Sequence, residues 1–153
     1  MKSLELKVPP PLVAAIVAAA MWGISHVTPV LEVARMYQIW AASAIAVAGG
    51  CFAVGGLVAF RRARTTVNPM KPEAASSLVA SGVYRITRNP MYVGLLLVLV
   101  ALAILMAAPV ALLGPVAFIL YTNRFQIKPE EVVLTKLFGN EYAEYKAKVR
   151  RWL

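Results

Sequence analysis

Three stretches of this chain carry no formal charge: Val8 to Leu31, Met36 to Phe60, and Asn89 to Asn123. They are 24, 25 and 35 residues long. A bilayer core takes roughly 20 apolar residues per helix, so the first two runs are one span each. A straight helix through the third would be about 52 Å long, too long for a hydrocarbon core of about 30 Å. Pro109, Gly114 and Pro115 lie near its middle or just beyond, so the run reads as a hairpin turning between Pro109 and Pro115. The expected spans are about 8–31, 36–60, 89–108 and 110–127, with a loop at 61–88 and a tail at 128–153. The whole chain, 1–153, reads as a single integral-membrane domain. The fold class is all-α: four transmembrane helices, the last two a short hairpin, followed by an amphipathic cytoplasmic helix.

Composition agrees with a membrane solvent. Sixty per cent of the 153 residues are hydrophobic and 15% are charged, against about a quarter in soluble domains. The net charge of +9 would suggest nucleic acid in a polar chain. Here the basic residues border apolar runs, which fits an anionic membrane surface, and no nucleic-acid partner is expected. With four spans and both termini inside, Arg35 alone faces outward, and the other 15 of the 16 lysines and arginines face the cytoplasm. A three-span chain would split that charge. The first apolar run is longer than a signal-peptide core, and no cleavage is expected.

The supply of reactive side chains is small. There is one cysteine, Cys51, one histidine, His26, and no aspartate. A disulfide framework, a Ser-His-Asp triad and most metal sites are excluded, and no metal is expected. His26 reads as a hydrogen-bonded or interfacial residue. The Gly49-Gly50 and Gly55-Gly56 pairs sit in an apolar helix with no preceding strand, so they serve helix packing rather than a nucleotide loop. Ala42, Ala46, Gly50 and Ala53 are the expected close-approach face.

Polar groups concentrate at one membrane boundary. Ser81 to Gly94 leads into the third span, and the fourth leaves through Tyr121, Asn123, Arg124 and Gln126 to Glu130 and Glu131. The hairpin brings these ends together. Two readings of the cluster stand side by side: a pocket at headgroup depth, or ion-paired anchors of the loops. Pro129, Glu130 and Glu131 open a tail helix. Its apolar stripe, Leu134, Leu137, Phe138, Tyr142, Tyr145 and Val149, suits the inner leaflet, with Trp152 as an interfacial anchor. Gly139 weakens or breaks that helix.

Two motifs carry a resemblance. Gly-x-Tyr-x-x-x-Arg-Asn-Pro-x-Tyr-x-Gly runs from Gly82 to Gly94, and 36 residues later comes Glu130-Glu131-x-x-Leu134-x-x-x-Phe138-Gly139-x-Glu141-Tyr142-x-x-Tyr145. In this order, flanking a short hairpin, they resemble the isoprenylcysteine carboxyl methyltransferase family and its prokaryotic relatives, which are similar in turn to phospholipid N-methyltransferases. The resemblance covers roughly Pro69 to Leu153. It implies an integral-membrane methyltransferase that uses S-adenosylmethionine and acts at the cytoplasmic face on a lipophilic small molecule or lipid. By matching position, Tyr84, Asn89, Pro90, Met91, Tyr92 and Glu131 would line the cofactor pocket, with Glu130 beside them and Leu78 and Val79 contributing backbone. Asn89 stands where many members have histidine. An arginine that handles the substrate carboxylate in eukaryotic members is replaced by Gln126, with Arg124 two residues earlier, so these two are the candidates for positioning the acceptor.

The residue types suit that chemistry. Glu131 matches the ammonium of S-adenosylmethionine, Arg88 either its carboxylate or a lipid phosphate, and Tyr84 or Tyr92 its adenine or sulfonium. Of the two glutamates, Glu131 is expected to matter more. The acceptor is open among a prenyl-type carboxylate, a phospholipid amine and a small hydrophobic thiol or acid. The competing reading is a non-catalytic four-helix membrane protein that assists assembly or binds lipid.

Overall fold

The computed structural model describes residues 5–63, 73 and 75–153. The polar stretch of the loop that holds Thr65, Thr66, Asn68, Pro69, Lys71 and Pro72 lies outside the described residues. Among the described residues the chain is all-helical: α1 (Pro10–Ser25), α2 (Arg35–Arg62), α3 (Pro90–Met106), α4 (Leu113–Thr122) and α5 (Lys128–Lys148). Short 3-10 turns occupy Gly82–Arg85 and Pro109–Leu112. Prolines open several of these elements, at Pro10, Pro90 and Pro109, where a missing backbone N–H costs nothing.

The hairpin turns earlier than the sequence suggested. Ala107 adopts a left-handed conformation (φ 51°), which ends α3. The reversal is at Ala107–Ala108, while Pro109 already starts the next helical turn and Gly114 and Pro115 lie inside α4. Gly114 serves packing instead: a Cβ there would collide with the Met21 side chain of α1.

A second difference lies at the far end of α4. The tail is not a separate helix. A π-helical turn, Asn123–Ile127, joins α4 to α5 without a break, so helix runs from Pro109 to Lys148. The interruption comes within α5, at Gly139 (φ 49°, ψ −120°), as its lack of a side chain led one to expect. The apolar stripe of α5 also has a different partner. Leu134, Phe138, Tyr142, Tyr145 and Val149 pack on Ala59, Val79 and Tyr84 of the same chain, leaving Leu137 exposed.

Close approach of α2 and α3 depends on glycine. Gly49 and Gly94 face each other so tightly that a Cβ on Gly94 would stand 2.8 Å from the Gly49 carbonyl oxygen. The buried face of α2 is Gln38, Ala42, Gly49, Gly56 and Ala59. Gly50, expected on that face, points outward with nothing near it. The second core joins α1, α3 and α4 through Val13, Met21, Leu99 and Phe118. His26 is hydrogen-bonded, its Nδ1 lying 2.8 Å from the Trp22 carbonyl oxygen.

Two of these helical stretches, Arg35–Arg62 and Pro109–Lys148, are long and apolar enough to cross a membrane, and α1 and α3 are shorter apolar helices. Only 17% of the apolar window of α2 is buried, and Tyr37, Trp40 and Val47 stand exposed on it. A water-soluble core helix is covered by protein; this surface calls for lipid, which marks a membrane protein.

Contacts also define two opposite ends. At one, Arg35 donates to the Leu105 carbonyl (2.9 Å) and the Leu31 N–H to the Ala107 carbonyl (2.7 Å). At the other, the segment before α1 meets the π-helical turn: Leu6 N–H bonds Phe125, and Arg124 pairs with Glu5 at 2.9 Å. The second end is where α2 stops, α3 starts and α5 begins.

Candidate active site

At that second end a cleft opens between the last turn of α2, the segment 75–92 and the first turns of α5. Its cavity volume is about 80 Å3, and it is partly open to the outside. Eight of the residues singled out from sequence line it together with Glu131: Leu78, Val79, Tyr84, Arg88, Asn89, Met91, Tyr92 and Glu130. Pro90 does not. As the first residue of α3 it packs under the cleft, and a Cβ on Gly56 would meet its ring at 3.2 Å.

The two glutamates have different surroundings. Glu131 lies between two arginines. Arg151 grips it with two parallel bonds, Nε to Oε1 at 3.0 Å and Nη2 to Oε2 at 2.6 Å. Arg88 Nη1 stands 3.2 Å from Oε1. Glu130 has no cation partner among the described residues. It accepts a hydrogen bond of 3.3 Å from the Tyr92 hydroxyl. Burial strips water from Glu130 and raises its pKa to about 7, the nearby Glu131 charge adds to the rise, and the Tyr92 bond works against it.

Arg88 is close to Glu131 but poorly directed at it. The Nε and Nη1 groups of Arg88 are buried without a hydrogen-bond partner among the described residues. The guanidinium lies near Tyr142 and works against the rise in that tyrosine's pKa. Its backbone N–H donates to the Arg150 carbonyl at 2.9 Å. A buried cation with N–H groups left over, beside a cleft, is a ready partner for an anion.

Asn89 serves the chain itself. Pro90 keeps it out of helical geometry (φ −130°, ψ 54°), and its side-chain amide donates to the Arg151 carbonyl at 2.9 Å. Thr87 donates to the same carbonyl at 3.1 Å. The C-terminal residues are thereby fastened to the mouth of α3, an arrangement extended by the isolated parallel bridge between Thr87 and Arg150. Trp152, expected as a membrane anchor, donates to Asn123 Oδ1 at 3.2 Å.

Arg124 and Gln126, the candidates for handling the acceptor, do not reach the cleft. The segment before α1 engages both. Arg124 pairs with Glu5, and Gln126 is fully buried, its amide donating to the Val8 carbonyl at 2.7 Å. The π-helical turn carries both residues. Their neighbour Ile127 lines the cleft in their place.

Sequence reasoning missed part of the lining. Phe60, Ser77, Leu134, Tyr142 and Tyr145 all face the cleft. Phe60 meets Tyr84 edge to face at 5.5 Å. The signal for the tyrosines was present: Tyr142 and Tyr145 lie on the apolar stripe that also carries Leu134, so whatever that stripe covers they cover too. Burial raises the pKa of Tyr142 to about 12 and holds Tyr84 and Tyr145 higher still, so all three are neutral.

The model of the phospholipid methyltransferase family matches residues 37–141 of this chain. A probable protein-S-isoprenylcysteine O-methyltransferase of Oryza sativa subsp. japonica is 31% identical over 137 residues, 85% of this chain and 70% of the relative. A protein-S-isoprenylcysteine O-methyltransferase of Xenopus laevis is 40% identical over 76 residues, 48% of this chain and 25% of the relative. An uncharacterized protein of Haemophilus influenzae is 51% identical over 63 residues, 41% of this chain and all of the relative. No solved structure matches the chain. On a match that runs from α2 into α5 and holds all of the cleft lining except Tyr142 and Tyr145, the chain belongs to the phospholipid methyltransferase family, among its isoprenylcysteine methyltransferase-like members.

Proposed function

We propose that this protein is an integral-membrane methyltransferase that takes its methyl group from S-adenosylmethionine and delivers it to a lipophilic acceptor at the cytoplasmic face. In this reading the chain crosses the membrane four times, in α1, α2, α3 and the stretch 109–127, with both chain ends and the cleft on the basic side and Arg35 on the other; the distribution of lysines and arginines supports it. α5, from Lys128 onward, lies outside the spans and carries the charged residues.

The observation that carries the reading is the pairing of two opposite charges on one cleft. Among the described residues Glu130 is a carboxylate without a cation, and Arg88, although ion-paired to Glu131, is a buried guanidinium whose Nε and Nη1 make no hydrogen bond. An amino acid needs one of each, and S-adenosylmethionine ends in an amino acid. Glu130, rather than Glu131, therefore faces the ammonium, because Glu131 is already neutralised by Arg151. Arg88 faces the carboxylate. Tyr84, Met91 and Tyr92 supply apolar and aromatic surface for the rest of the molecule, and Leu78 and Val79 close its side toward α2. When bound, the cofactor supplies an electrophilic methyl group on a sulfonium.

The acceptor of the first reading is an isoprenylcysteine-type carboxylate, as the names of the plant and frog relatives suggest. A carboxylate is ionised at neutral pH and needs no base, only alignment with the methyl group. This suits a cleft whose tyrosines are neutral. A phospholipid amine is the second reading. One observation favours it: the family model that matches residues 37–141 is that of the phospholipid methyltransferases. The test is incubation of the purified protein with labelled S-adenosylmethionine and either farnesylcysteine or phosphatidylethanolamine. A labelled, base-labile ester supports the first reading and a base-stable methylamine the second. Cofactor binding with no transfer to any lipid extract would leave the non-catalytic scaffold.

A further inference from the structure

We infer that Arg151 is a positioning residue: it holds Glu131 so that Arg88 keeps N–H groups free for a carboxylate in the cleft. The inference rests on the reading of the cleft as a cofactor site and deepens it.

The argument starts from competition. Glu131 Oε1 is 3.2 Å from Arg88 Nη1, close enough to take a directed bond if the carboxylate turned. It does not turn, because both of its oxygens are held by the planar fork of Arg151, at 3.0 and 2.6 Å. Paired bonds of this kind fix orientation as well as distance. Arg88 Nε and Nη1 are left without hydrogen-bond partners among the described residues. Arg151 is itself anchored through its backbone, since Thr87 and Asn89 both donate to its carbonyl. The fork is thus fixed to the mouth of α3, next to the residue whose freedom it protects. Without Arg151, Glu131 would turn onto Arg88 and fill the place of the incoming carboxylate.

A carboxylate can come from the cofactor's amino-acid end or from the acceptor, and the test separates the two. Detergent-purified full-length protein is titrated calorimetrically with S-adenosylmethionine, with its decarboxylated analogue, and with laurate on cofactor-saturated protein. The variants are Arg151→Ala, Arg151→Lys and the double variant Arg151→Ala/Glu131→Gln. For a cofactor carboxylate, Arg151→Ala should weaken S-adenosylmethionine by roughly tenfold or more, the scale of lost charged hydrogen bonds, and leave the decarboxylated analogue within about threefold. Lysine restores the charge but not the fork and should rescue only in part. The double variant should recover wild-type affinity to within about threefold, because glutamine no longer captures Arg88. For an acceptor carboxylate, the same loss and recovery appear for laurate while S-adenosylmethionine is unaffected.

Rescue is the readout that a merely structural arginine cannot give. Equal losses for both cofactor forms, no recovery in the double variant, or unchanged affinities for every ligand would overturn the inference. If the wild-type protein bound no S-adenosylmethionine, the functional reading would fall with it; normal wild-type binding with no effect of Arg151→Ala removes the inference alone.

Discussion

The Tyr145 hydroxyl donates a 2.7 Å hydrogen bond to the backbone carbonyl of Tyr84, 61 residues away, and this buried bond ties α5 to the turn that opens the cleft. Tyr145→Phe removes the donor and leaves a buried carbonyl unpaired. The expected cost is about 1–3 kcal/mol of stability. Thermal unfolding in detergent should show the loss, and an unchanged midpoint would mean that the α5 contact does not order the cleft.

Gly94 is the tightest point between α2 and α3. A Cβ there meets the Gly49 carbonyl oxygen at 2.8 Å and the Ala53 Cβ at 2.9 Å, and backbone cannot step aside as a flexible side chain can. Gly94→Ala should cost roughly 1–3 kcal/mol through forced separation of the helices. Gly50→Ala, on an open face of α2, should be neutral or stabilise by up to about 1 kcal/mol. Unfolding midpoints for the two variants in one detergent compare them directly.

Glu130 should make cofactor binding depend on pH. Its pKa stands at about 7, against an ordinary 4.5, so the unliganded folded state favours the protonated form. The group's contribution to stability is therefore present below pH 4.5 and lost as the pH rises through 7. Binding runs the other way. A ligand ammonium favours the carboxylate, so affinity for S-adenosylmethionine should fall as the pH drops below about 7, by at most about tenfold per unit. Glu130→Gln should flatten the profile. A pH-independent wild-type affinity between 6 and 8 would detach Glu130 from the ammonium.

Asn89 should matter for the tail more than for the ligand. Asn89→Ala loses the bond to the Arg151 carbonyl, costing roughly 0.5–1.5 kcal/mol, with Thr87 keeping a second bond to the same oxygen. Asn89→His should be tolerated and should introduce a pH dependence of its own. Melting temperature and cofactor affinity, measured together, separate the two roles. A large loss of affinity without a change in melting would place the side chain against the ligand instead.

Much of the fold was legible because lipid leaves few options: charge-free runs and proline positions located α1 to α5, though not the short 3-10 turns at Gly82–Arg85 and Pro109–Leu112. The turn at Ala107 was not, since an alanine in left-handed geometry has no sequence signature and the nearby prolines drew attention. Nor was the continuous path from α4 into α5. Its π-helical turn leaves no mark in Asn123–Ile127, and Pro129 reads equally as the start of a new helix. In the site, Tyr84, Arg88, Asn89, Met91, Tyr92, Glu130 and Glu131 of the two motifs line one cleft, with Leu78 and Val79 from the segment before them. Partner choice was not legible. Nothing in the string Glu130-Glu131 says which glutamate an arginine 20 residues later will take, nor that Gln126 will face Val8. Such pairings depend on helix phase at a π-helical turn and on a tail whose docking only the folded chain reveals.

The most direct test of the account is calorimetric titration of the purified protein with S-adenosylmethionine at pH 8, for wild type, Glu130→Gln and Arg88→Gln. The account predicts saturable one-to-one binding by the wild type, weakened by roughly tenfold or more in each variant, the scale of a lost charged contact. No binding by the wild type, or equal affinity in all three proteins, would contradict it.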